Sequence, residues 1–149
     1  MKRSTFNKFT WIKLPIAKIA GIKLHYYDES KSQTQVKLGW LNQNPFKSMF
    51  WAVQGMAAEL STGVLCISKI QKSGQRISML VVGLEANFTK KAVGKIIFTC
   101  DQGAELDEVL KKAIETGEGQ TLQMKSIGID EKGDQVSEFI FNWSFKLKQ

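Results

Sequence analysis

The stretch from Asn44 to Gly63, NPFKSMFWAVQGMAAELSTG, limits the possible folds of this chain more than any other. Its middle is apolar almost all the way round a helical wheel, whereas a surface helix is apolar on one side only. Asn44 is a residue type that caps helices, Pro45 suits the first helical position, and Gly63 suits the left-handed turn after a helix. The pattern predicts one long helix over residues 45–62, buried in the middle of the protein and wrapped by other elements.

One charged residue lies in this apolar stretch. Glu59 is the only charge between Lys47 and Lys69, and a lone buried carboxylate must be paired, hydrogen-bonded, protonated or beside water. Small residues precede it at helical spacing, and they are Gly55, Ala52 and Ser48. Such a column makes room for a second backbone or a ligand. Two interpretations stay open, namely a structural carboxylate in close helix packing and an acid in a functional site.

Alternation of apolar and polar residues predicts an antiparallel sheet in the rest of the chain. The expected strands are 22–27, 34–39, 64–70, 77–88, 93–100, 121–130 and 135–148, with a surface helix over 104–116. One face of the last strand is expected to collect Phe139, Phe141, Trp143, Phe145 and Leu147. One face of the strand 77–88 is expected to carry Leu80, Val82, Leu84, Ala86 and Phe88. No proline follows Pro45, which agrees with an uninterrupted sheet because proline cannot donate to a strand ladder.

The net charge of +7 is placed unevenly. Residues 1–37 hold eight basic and two acidic residues, whereas residues 38–149 hold thirteen and twelve, so the body is close to neutral. This balance, and the lack of a nucleic-acid-binding motif, argue against a nucleic-acid partner. The basic, amphipathic residues 1–20 are expected to pack on the domain as a helical segment, and contact with a membrane surface is the less favoured interpretation.

Length and composition bound the domain organisation. The 149 residues are 43% hydrophobic and 23% charged, which fits a single domain over residues 1–149. Lys8, Lys13 and Lys18 interrupt the apolar runs near the start, so no secretory or membrane-spanning segment is predicted. The expected location is therefore cytoplasmic.

Cysteines and histidines are too few and too scattered to predict a metal site. Cys66 and Cys100 both lie in apolar, strand-like runs and are expected to be reduced and buried. His25 is the only histidine and is expected to be an ordinary strand residue. A histidine-containing triad would have to use His25, and no metal is expected.

The long apolar helix, followed by strand runs such as ISMLVVGLEANFTKKAVGKIIFTCDQ, resembles the hotdog fold of acyl-CoA thioesterases. The stretch 44–63 is similar to the helix of an uncharacterised thioesterase-like hotdog family, in which an Asn opens the helix and a Glu follows fifteen residues later. Asn44 and Glu59 stand at these positions. The chain departs from that family just after the Asn, where Pro45 and Lys47 stand instead of its frequent His and Gly. The resemblance covers most of the chain and implies an α+β hotdog fold, a curled antiparallel sheet wrapped around the central helix, with an N-terminal helix and a short additional helix.

The resemblance also implies a site formed between subunits, and hence a homodimer or a dimer of dimers. Glu59 of one chain would be the catalytic carboxylate that attacks a thioester carbonyl or activates water. Asn44, at the helix start of the other chain, would help to bind the thioester oxygen. The expected substrate-binding residues are Ser48, Ala52, Gly55, Lys90 and Lys91. Basic side chains available for the phosphates of coenzyme A also include Lys69, Lys72 and Arg76.

Two functions stay open. The first is an acyl-CoA thioesterase-like hydrolase that acts on a fatty or aromatic acyl thioester, with coenzyme A as part of the substrate and no other cofactor. The second is a non-catalytic acyl-binding or lipid-binding hotdog protein, which needs the small-residue column but no chemistry from Glu59. The departures at Pro45 and Lys47 favour the second.

Overall fold

The helices and strands follow one another in nearly the order that the sequence patterns predict. The computed structural model describes residues 1–149. Its elements in chain order are α1 (Arg3–Lys13), α2 (Pro15–Ile19), β1 (Lys23–Tyr27), β2 (Ser32–Lys37), a 3₁₀ turn (Trp40–Asn42), α3 (Trp51–Ser73), β3 (Ile77–Phe88), β4 (Lys95–Cys100), α4 (Gly103–Thr116), β5 (Gln120–Ile129) and β6 (Gln135–Leu147).

Six strands form one antiparallel sheet in the order β1, β2, β4, β5, β6, β3. Helix α3 packs across one face of this sheet, mainly on β2, β4, β5 and β6. The predicted α+β architecture, a curled antiparallel sheet around a long central helix, is confirmed. Strand β3 lies at the edge of the sheet and receives little cover from α3.

Strand β6 supplies the apolar surface beneath α3. Its large buried residues, which the alternation of the sequence predicts, are Phe139, Phe141, Trp143 and Phe145. The neighbouring strand β3 departs from strict alternation at a bulge between Val81 and Gly83. Leu80 pairs with an outward residue of β6, whereas Leu84 pairs with Phe141 on the side of α3. The predicted single face from Leu80 to Phe88 is therefore wrong, because a bulge shifts the facing of every residue beyond it.

Helix α3 begins and ends later than the predicted 45–62. It runs from Trp51 to Ser73, and the left-handed residue that ends it is Gly74, with a φ of 69°. Gly63 lies inside the helix and faces β6, where an added Cβ would lie 4.0 Å from the Trp143 ring. A glycine that allows close packing has the same appearance in a sequence as a glycine that ends a helix.

The predicted strand 64–70 is wrong for a related reason. These residues form the second half of α3, because a short continuous apolar run has no period that separates a strand from a buried helix. Cys66 is accordingly a helix residue, whereas Cys100 lies in β4, and both are buried and unpaired. Burial raises the pKa of both thiols, that of Cys100 to about 12, so they stay protonated.

Polar side chains fasten α3 to the sheet. Thr34 Oγ1 of β2 donates to the carbonyl oxygen of Ala57 at 2.6 Å. Ser61 and Ser126 share a buried hydrogen bond of 2.7 Å. Buried polar groups that find partners in this way avoid the cost of lost hydration. These contacts set the rotation of α3 about its axis and so decide which of its faces stays open.

The N-terminal segment is helical and packs on the domain, as predicted. Phe6 of α1 and Ala17 of α2 are buried members of the main core. The 3₁₀ turn holds the end of α2 in place, since Asn42 Nδ2 donates to the carbonyl oxygen of Ala20 at 3.1 Å. None of the helices combines the length and the hydropathy needed to cross a membrane.

Candidate functional site

The loop that leads into α3 is held together by the side chain of Asn44. Its Oδ1 accepts from the backbone N–H of Phe46 at 2.9 Å and from that of Ser48 at 3.2 Å. Ser48 Oγ lies 3.1 Å from Asn44 Nδ2, and the Asn44 N–H donates to Ser48 O at 2.8 Å. Asparagine often closes tight turns with such local hydrogen bonds. The loop therefore fixes the point at which the helix can begin.

Asn44 does not cap the central helix, and that prediction is wrong. The helix starts seven residues later, at Trp51. Lys47 has a φ of 60°, in the left-handed region, so the chain turns back before the helix begins. Pro45 lies in this turn and not at the first helical position, because its fixed φ suits both settings. Ser48 also lies in the loop, so the small-residue column on α3 contains only Ala52 and Gly55 of the predicted three.

The first turn of α3 leaves backbone donors free. The N–H groups of Val53 and Gln54 donate to Phe50 O, but those of Trp51 and Ala52 have no acceptor within the chain. Free N–H groups at a helix start, reinforced by the helix dipole, attract an oxygen that carries negative charge. The free backbone donors of the helix start, predicted at Asn44, therefore belong to Trp51 and Ala52.

A cleft of about 500 Å³ opens beside this helix start. It brings together four of the predicted site residues, which are Asn44, Ser48, Lys90 and Lys91. Aromatic side chains form much of the remaining wall, and they are Phe46, Phe50, Trp51 and Phe88. Apolar walls with a few polar groups are typical of small-molecule sites.

Gln54 lines the cleft and is not among the site residues predicted from the sequence. Its Nε2 donates to Met49 O at 3.3 Å, and its Oε1 accepts from Ser137 Oγ at 2.8 Å. The signal was present in the sequence, because Gln54 and Ser48 are the only polar residues between Lys47 and Glu59 other than glycine. A buried amide with both ends bonded holds the cleft wall to β6.

The two lysines at the cleft differ in their availability. Lys90 Nζ lies 2.7 Å from Asp130 and 2.8 Å from Asp134, so its charge is already paired. These two hydrogen bonds raise the pKa of Lys90. Lys91 makes only a long hydrogen bond of 3.4 Å to Phe46 O. Lys91 is therefore the better placed of the two to meet an anionic ligand.

Two other lysines considered for the phosphates have structural partners away from this cleft. Lys69 is nearly fully buried and pairs with Asp107 at 2.8 Å and with Glu29 at 3.5 Å. Lys72 also pairs with Glu29. Both lie at a second surface pocket beside α4, so they do not belong to the cleft at the helix start.

Glu59 lies on the half-open face of α3 and not in the cleft. Ala52 and Gly55 are half-buried on the same face. The Glu59 carboxylate has no hydrogen-bond or ion-pair partner within the chain, and burial raises its pKa. At 1.5 Å per residue it lies roughly 12 Å along the helix from Trp51. One chain therefore does not bring this carboxylate to its own helix start.

An uncovered apolar surface continues from this face onto β3. Gly55 faces Phe139, and a Cβ added to Gly55 would lie 3.4 Å from the Phe139 ring. Phe139 in turn contacts Phe88 edge-on, with 5.6 Å between the ring centroids. Phe88 and Leu84 are 49% and 58% exposed, although Leu84 pairs on the α3 side of the sheet. The outer edge of β3 has no partner strand. Unpaired edges and exposed apolar surface are typical of places where another chain binds.

The curled antiparallel sheet and the long central helix packed on it define a hotdog fold. The chain belongs to a family described as a domain of unknown function, DUF4442, whose model matches residues 2–145. The prediction of an uncharacterised thioesterase-like hotdog family is confirmed. A search of curated proteins by sequence gave no match.

Solved structures with the same fold include proteins described as thioesterases. A protein of unknown function from Pseudomonas aeruginosa, described as a probable thioesterase, is 18% identical with a TM-score of 0.85, over 99% of this chain and 97% of the other. A protein of unknown function from Chlorobaculum tepidum TLS is 15% identical with a TM-score of 0.84, over 98% and 94%. A mutant thioesterase from Pseudomonas aeruginosa is 11% identical with a TM-score of 0.76, over 99% and 96%. The predicted hotdog fold is confirmed.

Proposed function

We propose that this protein is an acyl-CoA thioesterase-like hydrolase for a fatty or aromatic acyl thioester, with each site built from two chains. The observation that carries the proposal is Glu59, a half-buried carboxylate with a raised pKa and no partner in its own chain. An unpaired carboxylate with a raised pKa on an open face is a marker of a functional site. The second requirement, a set of oxyanion donors, is met by the free N–H groups of Trp51 and Ala52.

Two copies joined along the free edge of β3 would form one longer sheet and place their α3 helices side by side and antiparallel. The small side chains of Ala52 and Gly55 permit a close approach of the two helices. If the two-fold axis passes near Gly55, Glu59 lies four residues beyond it. It then faces the position four residues before the axis in the second copy, which is Trp51. This arrangement brings a carboxylate to a helix start, which one chain alone does not do.

The chemistry proposed for this pair is general-base hydrolysis. Glu59 takes a proton from water while the water oxygen attacks the thioester carbonyl carbon, and the N–H groups of the helix start bind the developing oxyanion. The carbon–sulfur bond then breaks, and the protonated carboxyl returns its proton to the leaving thiolate. The products are a carboxylic acid and a free thiol. The raised pKa of Glu59 makes it a stronger base than an exposed carboxylate.

The cleft at the helix start provides room for the substrate. Its aromatic wall of Phe46, Trp51 and Phe88 suits a fatty or aromatic acyl group. Lys91, whose ammonium group has no ion-pair partner, is proposed to meet a phosphate of coenzyme A. Lys90 contributes less, because Asp130 and Asp134 already hold its charge.

The test is hydrolysis of a series of acyl-CoA thioesters, from short to long and including an aromatic one, followed by release of free thiol. Glu59→Gln should lower turnover at least ~10²-fold, the usual size of a general-base effect, with an unchanged circular dichroism spectrum. Glu108→Gln on the exposed face of α4 is the matched control and should retain full turnover. Unchanged turnover in Glu59→Gln would remove this residue from the mechanism.

A non-catalytic acyl-binding protein is the second candidate, and one observation favours it. Both polar atoms of the Asn44 amide are engaged inside the loop, so Asn44 offers no free donor to a thioester oxygen. A binding protein would take up acyl-CoA in calorimetry without releasing thiol, and Glu59→Gln would then alter only affinity or stability. Calorimetry and thiol release on the same preparation separate the two functions.

A further inference from the structure

Helices α1 and α2 present a second apolar surface, directed to solvent. Its members are each between 61% and 63% exposed, and they are Trp11, Ile12, Ile16 and Ile19. The inner side of these helices packs on the domain through the buried side chains of Phe6 and Ala17. The four exposed residues are therefore not needed for this packing. A cluster of this kind on a protein surface marks a place where something else binds. We call these four residues, together with the lysines that flank them, the α1–α2 surface.

The charged residues of the segment that carries this surface have one sign only. Residues 1–27 hold six of the 21 basic residues of the chain and none of its 14 acidic residues. Lys8 and Lys13 are exposed beside the apolar cluster, and Lys18 Nζ lies 5.8 Å from the centroid of the Trp11 ring. Residues 28–149, by contrast, hold fifteen basic and fourteen acidic residues. The net positive charge of the protein is therefore concentrated in the segment that carries Trp11 and the three exposed isoleucines.

We propose that the α1–α2 surface binds an anionic phospholipid membrane. Short helices with apolar side chains on one side and lysines around them lie in the plane of a membrane interface, and tryptophan suits that depth. Lysines add attraction to acidic headgroups while their alkyl stems lie along the apolar region. This binding needs no membrane-spanning helix, and it is independent of the chemistry proposed for Glu59.

A second copy of the chain fits the α1–α2 surface less well than a membrane does. A symmetric contact would bring the lysines of one copy close to those of the other, and residues 1–27 contain no acidic residue to pair them. An anionic bilayer supplies both an apolar layer for the isoleucines and a negative layer for the lysines. Charge complementarity therefore selects the membrane as the occupant.

The experiment uses the full chain and sedimentation with lipid vesicles. The protein should pellet with vesicles of phosphatidylcholine and phosphatidylglycerol, and much less with vesicles of phosphatidylcholine alone. High salt should weaken the binding, because the attraction of lysines to acidic headgroups is screened. Deleting residues 1–20 is unsuitable as a test, since Phe6 and Ala17 belong to the core and their loss would damage the fold.

Surface substitutions separate binding from folding. The double variants Ile12→Ser/Ile16→Ser and Lys13→Glu/Lys18→Glu should each lower partition onto anionic vesicles at least ~10-fold. Val93→Ser and Lys111→Glu/Lys112→Glu change an exposed apolar residue and two exposed lysines elsewhere, and they should bind as the wild type does. Circular dichroism checks that every variant is folded.

Three results would overturn the proposal. One is failure of the wild type to pellet with anionic vesicles, and another is equal binding to neutral vesicles. The third is full binding by both double variants. If Ile12→Ser/Ile16→Ser instead shifts the protein to a smaller species in gel filtration, and the wild type binds no vesicles, the α1–α2 surface is a contact between copies and not a membrane site.

Discussion

The two faces of helix α3 differ in burial and in whether their polar groups have partners. On the face toward the sheet, Ala57, Ser61 and Leu65 are fully buried, and the polar atoms among them have partners. On the other face, Gly55 and Glu59 are only half-buried, and the carboxylate has no partner. One face therefore stabilises the fold, while the other stays partly exposed and keeps an unpaired carboxylate. Mutations on the two faces should affect different quantities.

We call the face of α3 toward the sheet the closed face and the opposite one the open face. The largest effect on stability is expected from a substitution on the closed face. Leu65→Ala removes a fully buried side chain and leaves a cavity beneath the helix, which should lower the free energy of unfolding by about 2–5 kcal/mol. Urea denaturation followed by circular dichroism measures the loss. The control is Leu80→Ala, which truncates an exposed leucine of β3 and should cost far less. Equal losses at the two positions would contradict the division between the faces of α3.

The next effect concerns the polar contact on the closed face. Ser126 is 0% exposed, and Ser61→Ala leaves its hydroxyl without a partner. The substitution should lower the free energy of unfolding by about 1–3 kcal/mol. The double variant Ser61→Ala/Ser126→Ala removes both hydroxyls, so it should recover part of that loss. A double-mutant cycle in urea gives the coupling energy. Strictly additive losses would show that the two hydroxyls do not stabilise one another.

The sequence reveals the closed face better than the open one. Alternation in β6 was predictable because a strand with one buried face has a period of two. The start of α3 was not, because Asn44 and Pro45 are as suitable for a tight loop as for a helix start. Its end was missed because Gly63 packs against Trp143 inside the helix.

Site residues differed in how far the sequence alone reveals them. Glu59 was recognisable as a lone charge in an apolar stretch, and the structure leaves it without a partner in its own chain. The free donors at Trp51 and Ala52 could not be predicted, since they depend on where the helix starts. The burial of Lys69 depends on Glu29 and Asp107, which are distant in the sequence and adjacent in the fold.

A smaller effect of opposite sign is expected on the open face. Gly55→Ala should raise the unfolding free energy by up to ~1 kcal/mol, because alanine is favoured over glycine inside a helix and its Cβ would make an ordinary 3.4 Å contact with Phe139. It should also lower acyl-CoA hydrolysis, because the methyl group narrows the column beside Glu59. Urea denaturation and thiol release measure the two quantities. Gly39→Ala, with open space around the added Cβ, is the control and should keep full hydrolysis.

The smallest expected effect is the pH-dependent cost of Glu59 itself. Burial raises the pKa of this carboxyl in the folded protein, so the folded state binds its proton more tightly than the unfolded chain does. Below the unfolded value of about 4.3 the group is protonated in both states, and wild type and Glu59→Gln should be equally stable. As pH rises through the folded pKa, the wild type must hold an unpaired charge, so it should become less stable than Glu59→Gln and stay so at neutral pH. The difference in unfolding free energy should be modest because the side chain is only half-buried and water screens its charge.

Urea denaturation across this pH range measures the difference between wild type and Glu59→Gln, with Glu108→Gln as a control that shows no such difference. If Glu59→Gln is instead less stable than the wild type at neutral pH, the carboxylate has an attractive partner in the assembled protein, and the open face is closed by a cation or a hydrogen-bond donor from another chain.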